Sequence, residues 1–201
     1  VGPKAELDRH GISIVHNLEG GGEGLQDHFT ARTVVRVKNM STMNEKVRGF
    51  ALAGEALKYA FARKGILAMT PTLVYCFWHS GVTAERSDLQ MTFTPASYMD
   101  GVKGKLEVEP GMTVPSWQQR PESRGYLRLR SSSAFEAPLI QTNYLAEELD
   151  RRVFIAGMRL ARTLLKSDPL APYYDYECYP GDDVQTDDEF LDAGTRRGQT
   201  T

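Results

Sequence analysis

The chain has 201 residues, of which 41% are hydrophobic and 25% are charged, as in an ordinary folded globular protein. Its 24 basic and 26 acidic side chains give a formal net charge of −2, so no single-sign field attracts nucleic acid or an anionic membrane. The longest apolar run, residues 73–78, is far shorter than the roughly 18 residues of a transmembrane helix, which argues against a membrane span.

The first elements of the chain are short and separated by glycines. Lys4–Arg9 is typical of a short helix that ends before Gly11, and residues 12–15 are typical of a short strand. The glycine cluster at residues 20–24 predicts a loop. Residues 29–38 alternate apolar and polar side chains, so we expect a half-buried strand there.

The middle of the chain predicts a helix followed by two strands. Residues 44–64 carry apolar side chains near helical spacing and finish in a basic turn before Gly65, which indicates one long helix. Residues 72–79 and 89–94 are rich in aromatic and β-branched side chains and predict two strands. The charged, glycine-containing residues 100–109 predict a surface excursion.

The last part of the chain predicts a hairpin, a long helix, a strand and a short helix. Residues 112–119 and 126–130 are expected to form the hairpin, and residues 143–166 hold the second long helix. Residues 173–179 predict a strand and Asp187–Arg197 a helix. Strands interrupted by long helices without βαβ alternation favour an α+β fold, a mainly antiparallel multi-stranded sheet with two long helices packed on it.

The two cysteines are far apart and form no Cys-x-x-Cys pair. Cys76 and Cys178 each lie in an aromatic segment that is typical of a strand, so we expect two reduced, buried thiols, with a bridge between them as the alternative. The histidines are scattered without metal-ligand spacing, and no metal site is predicted. With no targeting segment in the sequence, we expect a cytoplasmic protein.

The sequence contains no recognisable set of catalytic residues. The glycines at residues 20–24 do not fit the dinucleotide pattern Gly-x-Gly-x-x-Gly, because Leu25 or Asp27 falls where the third glycine is required. A Gly-x-Ser-x-Gly serine nucleophile is also absent. The residues alone therefore favour a binding or structural module over a self-contained enzyme.

Three colinear stretches resemble the glucose-methanol-choline (GMC) family of oxidoreductases. Leu25-Gln26-Asp27-His28 resembles the end of the family segment Val-Gly-x-Asn-Leu-Gln-Asp-His. Arg120-Pro121-Glu122-Ser123-Arg124-Gly125, followed by Asn143-Tyr144-Leu145, is similar to the family run Arg-Pro-x-Ser-Arg-Gly through Asn-Tyr-Leu. Val1-Gly2-Pro3 looks like the tail of the family signature Ser-Gly-Val/Ile-Gly-Pro. The resemblance covers essentially the whole chain.

The resemblance implies that residues 1–201 are the substrate-binding domain of an FAD-dependent alcohol dehydrogenase or oxidase. It places the flavin-binding and catalytic segments outside this sequence, with the catalytic histidine expected beyond Thr201. FAD is then the cofactor of the full-length parent, in which a primary alcohol gives hydride to flavin. The chain alone is expected to bind no FAD and to be inactive. Its expected partners are a small alcohol, the flavin domain and, through the exposed flavin-facing surface, a second copy.

The resemblance also suggests which residues line the substrate and cofactor sites. Tyr75, Phe77, Gln90 and Thr92 are the expected substrate-binding residues, and Thr92 occupies a position where the family often has histidine. We expect Gln26, Asp27 and His28 to lie near the cofactor. The strand with Tyr75 and Phe77 has no carboxylate to pair with a quaternary ammonium, which favours a neutral alcohol over a choline-type substrate.

Each of these assignments has a structural alternative. The aromatic side chains of residues 73–78 are also consistent with ordinary sheet core, and Gln90 and Thr92 with a solvated strand face. Asp27 and His28 are also consistent with a local turn capped by the aspartate. For the chain as a whole, the alternative functions are a stand-alone aromatic-sheet module that binds a sugar or small ligand, and a regulatory or interaction remnant.

Overall fold

A computed structural model describes residues 1–83, 86–102 and 104–200 of the chain. The helices that they form are α1 (Lys4–Arg9), α2 (Met43–Lys46), α3 (Gly49–Ala62), α4 (Glu148–Leu165) and α5 (Asp187–Arg197), with one 3-10 turn at Ile66–Ala68. The strands are β1 (Glu23–Leu25), β2 (Phe29–Val37), β3 (Val74–Trp78), β4 (Leu89–Phe93), β5 (Gly111–Gln118), β6 (Gly125–Arg128), β7 (Leu139–Gln141), β8 (Tyr174–Tyr179) and β9 (Gln199–Thr200).

The chain divides into two compact units. The first contains Val1–His28 and Arg120–Arg151, and the second contains Phe29–Gln119 and Arg152–Thr201. None of the helices formed by the described residues combines the length and the apolar character needed to cross a membrane. Thr201, and Lys103 within the predicted surface excursion, lie outside the described residues. The assignment of the whole chain to a substrate-binding domain stays a prediction.

The second unit is built on a six-stranded sheet. Its strands follow the order β3-β4-β5-β2-β8, and β9 pairs with the start of β2. Each of these pairs is antiparallel, which confirms the predicted α+β class with a mainly antiparallel sheet. The sequence placed several of the elements within one or two residues of their observed bounds, namely α1, α5, β2, β3, β4 and β8.

The first unit contains a smaller antiparallel sheet in the order β1-β6-β7. The predicted hairpin between residues 112–119 and 126–130 is therefore wrong, because β5 and β6 belong to different sheets. The backbone of β6 approaches β7 closely, and a Cβ at Gly125 would lie 1.9 Å from the Gln141 carbonyl oxygen. Glycine at this position is what permits the pairing of β6 with β7.

Two short predictions in the first unit are also wrong. Residues 12–15 form no strand, and Val15 is 86% exposed. Glu23 and Gly24, predicted as loop, belong to β1, which pairs with β6 through Glu23 and Leu25.

The loop between β5 and β6 is held by a buried carboxylate. Asp150 of α4 accepts hydrogen bonds from the backbone N–H of Glu122 at 2.8 Å and of Ser123 at 2.7 Å, and from the Ser123 hydroxyl. The same hydroxyl accepts from the backbone N–H of Glu147 at 3.2 Å. Because hydrogen bonds to a charged group are about twice as strong as neutral ones, Asp150 fixes the loop conformation.

The core of the second unit lies between the sheet and α4. At Gly157 of α4 a Cβ would lie 2.8 Å from the Leu89 side chain and 3.1 Å from the Ser116 hydroxyl, so the helix lies directly on β4 and β5. Burial of apolar side chains at this contact stabilises the unit by roughly 1.5–3 kcal/mol for each large side chain. The buried apolar residues here include Val35, Leu89, Met91, Val114, Val153, Phe154, Met158, Ala161 and Leu165.

Helix α5 packs against α4 at a glycine. A Cβ at Gly194 would lie 2.4 Å from the ring of Phe154, which is itself buried against the ring of Phe29 at a centroid distance of 5.5 Å. The start of α5 is fixed by a capping box, in which Thr186 accepts from the backbone N–H of Glu189 and Glu189 accepts from that of Thr186.

An ion pair joins α4 to β8. Arg162 donates to both carboxylate oxygens of Glu177, at 2.8 and 2.7 Å, and the Glu177 side chain is fully buried. The guanidinium also donates to the carbonyls of Gly181 and Val184 and lies over the Phe190 ring. A buried bidentate pair of this kind fixes geometry more than it adds net stability.

The predicted helix over residues 44–64 is broken in two, and its expected apolar face is not buried. Arg48 has an extended backbone and donates to the carbonyls of Leu106 at 2.7 Å and Glu107 at 2.9 Å, and Gly49 has a φ of 48°. These long-range bonds divide α2 from α3. Every residue of α3 is described and none is buried, with Phe50 98% and Phe61 87% exposed.

Both cysteines are free thiols, as expected, but they are partly rather than fully buried. The Cys178 thiol donates to the Val34 carbonyl at 3.2 Å. Burial raises the pKa of this thiol, so it is protonated at neutral pH.

The contact at Gly194 generates a prediction about stability. Gly194→Ala should lower the free energy of unfolding by about 1–3 kcal/mol, because the added methyl group overlaps the rigid Phe154 ring. Gly54→Ala is the matched control, since a Cβ at Gly54 of α3 meets nothing within 4 Å. That variant should gain up to about 1 kcal/mol from helix propensity. Urea denaturation of both variants measures the difference, and equal effects would contradict the packing of α5 on α4.

Candidate functional site

The four predicted substrate-binding residues lie together on one face of the six-stranded sheet. In the register of β3 with β4, Tyr75 is opposite Thr92 and Phe77 is opposite Gln90. Directly opposed residues of antiparallel strands point to the same side, so these pairs form a patch of two aromatic and two polar side chains. We call this surface, defined by these residues, the pair face.

The other side of β4 is covered by α4. Leu89 and Met91 alternate with Gln90 and Thr92 along β4 and are buried. Since the pleat sends successive side chains to opposite sides, the burial of Leu89 and Met91 fixes the direction of Gln90 and Thr92.

The pair face differs in exposure between its two strands. Tyr75 is 62% and Phe77 55% exposed on the edge strand β3, whereas Thr92 on β4 is 8% exposed. Gln90 accepts a hydrogen bond at 2.8 Å from the amide nitrogen of Gln119. The aromatic side chains are thus surface groups and not sheet core, and the threonine is not solvated. Their role in substrate binding stays a prediction.

The sheet continues this face into β5 and β2. Gln90 is opposite Trp117 of β5, and Pro115 of β5 is opposite Arg32 of β2. The pleat therefore brings Arg32 and Arg36 of β2 to the same side as Gln90 and Thr92. Sequence reasoning assigned no role to these arginines, although their alternation with Thr33 and Val35 was visible.

Arg36 is neutralised by two glutamates. Its guanidinium lies 2.5 Å from the Glu107 carboxylate and 3.3 Å from that of Glu109. The hydrogen bond to Glu107 raises the pKa of Arg36. Burial alone would raise the pKa of Glu107, but its hydrogen bonds with Arg36 and Ser97 hold it below its ordinary value. Arg36 is therefore part of a stable ion cluster.

Gln26, Asp27 and His28, the predicted cofactor-proximal residues, belong to the first unit. The Gln26 amide donates to the Pro121 carbonyl at 2.7 Å, and Asp27 accepts hydrogen bonds from the Tyr144 hydroxyl and, at 2.9 Å, from the backbone N–H of His28. The two most recognisable sequence stretches thus contact each other directly. Asp27 has the local capping role that was the alternative, and in addition a long-range bond to Tyr144.

The described residues do not form a cradle for the pyrophosphate of FAD. Such a cradle needs free backbone N–H groups in a glycine turn at the start of a helix. In the glycine cluster the N–H of Gly21 donates to Leu18 and that of Glu23 to Gly20, at 3.0 and 3.1 Å, and the chain continues into β1. The described residues also contain no cluster of three metal-ligating side chains.

The sequence and fold of the chain were compared with those of known proteins. Residues 121–201 match the family model described as GMC oxidoreductase. The chain is 33% identical over 202 residues to an alcohol dehydrogenase [acceptor] of Pseudomonas putida, which covers 100% of this chain and 36% of that protein. It is 31% identical over 201 residues to an oxygen-dependent choline dehydrogenase of Staphylococcus epidermidis, over 100% of this chain and 35% of the relative.

A solved structure shows the same fold. A formate oxidase variant from Aspergillus oryzae RIB40, made to study FAD modification, superposes with a TM-score of 0.84 at 23% identity, over 100% of this chain and 40% of that one. The chain thus spans little more than a third of the length of the curated relatives that it matches. From the matched sequence stretches, the relatives and the shared fold, the chain belongs to the GMC oxidoreductase family.

Proposed function

We propose that this chain is the substrate-binding part of an FAD-dependent oxidoreductase that transfers hydride from a primary alcohol to flavin, and that it is inactive in isolation. The observation that carries the proposal is the pair face. Strand β4 buries one side under α4, and the opposite side of β3 and β4 carries two aromatic and two polar side chains. Such a mixture is typical of small-molecule sites, in which a few polar groups orient a ligand held by apolar contacts.

The pair face has the chemistry to orient an alcohol. Tyr75 and Phe77 offer apolar surface for a hydrocarbon chain, and the Thr92 hydroxyl both donates and accepts hydrogen bonds. The Gln90 amide is oriented by Gln119, which leaves its own NH2 group able to donate. These side chains position a ligand. None of them is a histidine or a carboxylate, the usual general bases, so the base must come from elsewhere.

A neutral alcohol suits this face better than a quaternary ammonium. The Tyr75–Thr92 and Phe77–Gln90 pairs carry no carboxylate, so a cation would interact only with aromatic rings, at about 0.5–2 kcal/mol each. The choline dehydrogenases among the relatives therefore support the proposed class of reaction, but not a choline-type substrate. The alcohol dehydrogenase of Pseudomonas putida is the relative that agrees with this chemistry.

The flavin of the parent must be held by other parts of that protein. In the glycine turn of the first unit the N–H groups of Gly21 and Glu23 are already bonded, and the turn leads into β1 rather than into a helix, so it does not fit a pyrophosphate. Flavin supplies hydride acceptance when bound, and this chain supplies the shape and hydrogen bonds of the alcohol site. We further propose that Gln26, Asp27 and His28 lie near the cofactor in the parent, with the Pro121 and Tyr144 contacts holding that segment in place.

The proposal also accounts for the exposed aromatic side chains of β3. Exposed apolar patches of several hundred Å² on a soluble protein mark interaction surfaces. Because the chain spans 36% of the Pseudomonas putida relative, we propose that the flavin-binding part of the parent covers Tyr75 and Phe77. In the isolated chain the same surface is available for self-association. A free-standing module that binds a sugar is the competing function.

One prediction concerns the isolated chain. Purified and mixed with excess FAD, it should elute from gel filtration without flavin absorbance and should not oxidise primary alcohols. The reason is that the described residues provide neither a pyrophosphate cradle nor a base on the pair face. The matched control is the full-length parent carried through the same column. Retained flavin or alcohol oxidation by this chain would contradict the proposal, and tight binding of a sugar would favour the competing function.

A second prediction tests the role of Thr92 in the full-length parent. Thr92→Val keeps the side-chain shape but removes the hydroxyl, so kcat/KM for a primary alcohol should fall roughly two- to tenfold, the loss of one neutral hydrogen bond. Flavin content should not change.

The matched control for this test is Thr33→Val. Thr33 is buried on the α4 side of β2, and its hydroxyl has no hydrogen-bond partner among the described residues. This substitution should leave kcat/KM unchanged and should not lower stability. Equal kcat/KM for the two variants would show that the pair face does not contact the alcohol.

A further inference from the structure

A cavity of about 450 Å3 lies in the second unit, beside β2. Arg32 and Val34 line it from β2, Tyr179 from β8, Arg197 from α5, and the segment from Tyr98 onward forms another wall. This volume falls within the roughly 300–1,000 Å3 of small-molecule sites. Arg32 comes to it from the same side of the sheet as Thr92.

Arg32 is a partly buried cation that forms no ion pair with the residues that the structure describes. No described residue accepts a hydrogen bond from its guanidinium or lies within ion-pair distance of it, and its one ring contact is with Tyr98, at 5.8 Å. Burial lowers its pKa, and the charge of Asp100 only partly opposes this. Arg36, two residues further along the same face, is by contrast neutralised by Glu107 and Glu109. A desolvated and unpaired charge is costly, and such sites are stabilised by a bound anion.

The other charges at the cavity cancel each other. The guanidinium of Arg197 lies 3.0 Å from the Asp100 carboxylate and stacks over the Tyr179 ring at 4.3 Å. The Tyr179 hydroxyl donates to the Ala193 carbonyl. Arg32 therefore leaves the described lining with one uncompensated positive charge.

The rest of the lining selects the kind of anion. Val34, Met99 and Val102 add apolar surface to the cavity wall. A guanidinium matches a carboxylate with two parallel hydrogen bonds, and the apolar wall favours a ligand with a short hydrocarbon body over a bare inorganic ion.

We infer that this cavity binds the carboxylate of a small organic acid, with Arg32 as its anchor. The inference goes beyond the proposed alcohol oxidation. Binding can be measured in this chain without flavin, so its outcome is independent of whether the parent oxidises alcohols.

The test is an NMR titration of the 201-residue chain with hexanoate. The backbone amide signals of Val34 and Gly101 should shift and saturate, whereas hexanamide, which has the same shape without charge, and inorganic phosphate should bind at least about tenfold more weakly. Arg32→Met should weaken hexanoate binding by at least about tenfold, and Arg32→Lys by less, since the ammonium keeps the charge but not the paired geometry.

Two further variants keep the test decisive. Arg196→Met removes the same charge from α5, but Arg196 pairs with Asp192 and does not line the cavity, so binding should be unchanged. Val102→Trp fills the cavity from an exposed loop position and should abolish binding even where Arg32→Met proves unstable. The inference is overturned if hexanamide or phosphate binds as tightly as hexanoate, if neither Arg32→Met nor Val102→Trp weakens binding, or if Arg196→Met weakens it equally.

Discussion

The contact between α4 and one side of the six-stranded sheet is the constraint on which the candidate site depends. Gly157 lets the helix approach within van der Waals distance of Leu89 and Ser116, and these positions cannot move without opening the core. Because β-strand side chains alternate strictly, burial of Leu89 and Met91 leaves no freedom in where Gln90 and Thr92 point. The helix therefore determines the composition of the face that it does not touch.

The antiparallel register carries this constraint across the sheet. Tyr75 of β3, Thr92 of β4, Pro115 of β5 and Arg32 of β2 share one side, and adjacent strands are about 4.8 Å apart. The face changes from exposed aromatic groups at the β3 edge to charged groups at β2. Proposals about an alcohol and about a carboxylate thus concern different parts of one surface. A shift of one residue in any of these strand pairings would move some of these side chains to the opposite side of the sheet.

Local sequence patterns were sufficient to predict the helices and strands whose side chains follow one regular spacing. The alternation along residues 29–38 predicted β2 as a half-buried strand, the aromatic and β-branched content of residues 89–94 predicted β4, and the pattern of Asp187–Arg197 predicted α5. The errors occurred where contacts with residues distant in the sequence determine the local backbone conformation. Arg48 bonds to carbonyls at Leu106 and Glu107 and interrupts a pattern that is otherwise helical.

The candidate site was predictable to a similar extent. Tyr75, Phe77, Gln90 and Thr92 were predicted as site residues because two neighbouring strands and a family resemblance indicated them. That they share one face follows from strand pairing, and their role stays a prediction. The cavity at Arg32 was missed because its walls come from β2, β8, α5 and a long loop, which only the fold brings together. The pairing of β6 with β1 rather than β5 was hidden for the same reason.

The central claim is that the side of the sheet opposite α4 is the alcohol-binding side. A crystal structure of the full-length parent with a bound, unreactive analogue of a primary alcohol tests it most directly. The account predicts that the analogue contacts the Thr92 hydroxyl and the Phe77 ring while α4 covers Leu89 and Met91 on the reverse side. An analogue seated away from both Thr92 and Phe77, with the fold unchanged, would contradict it.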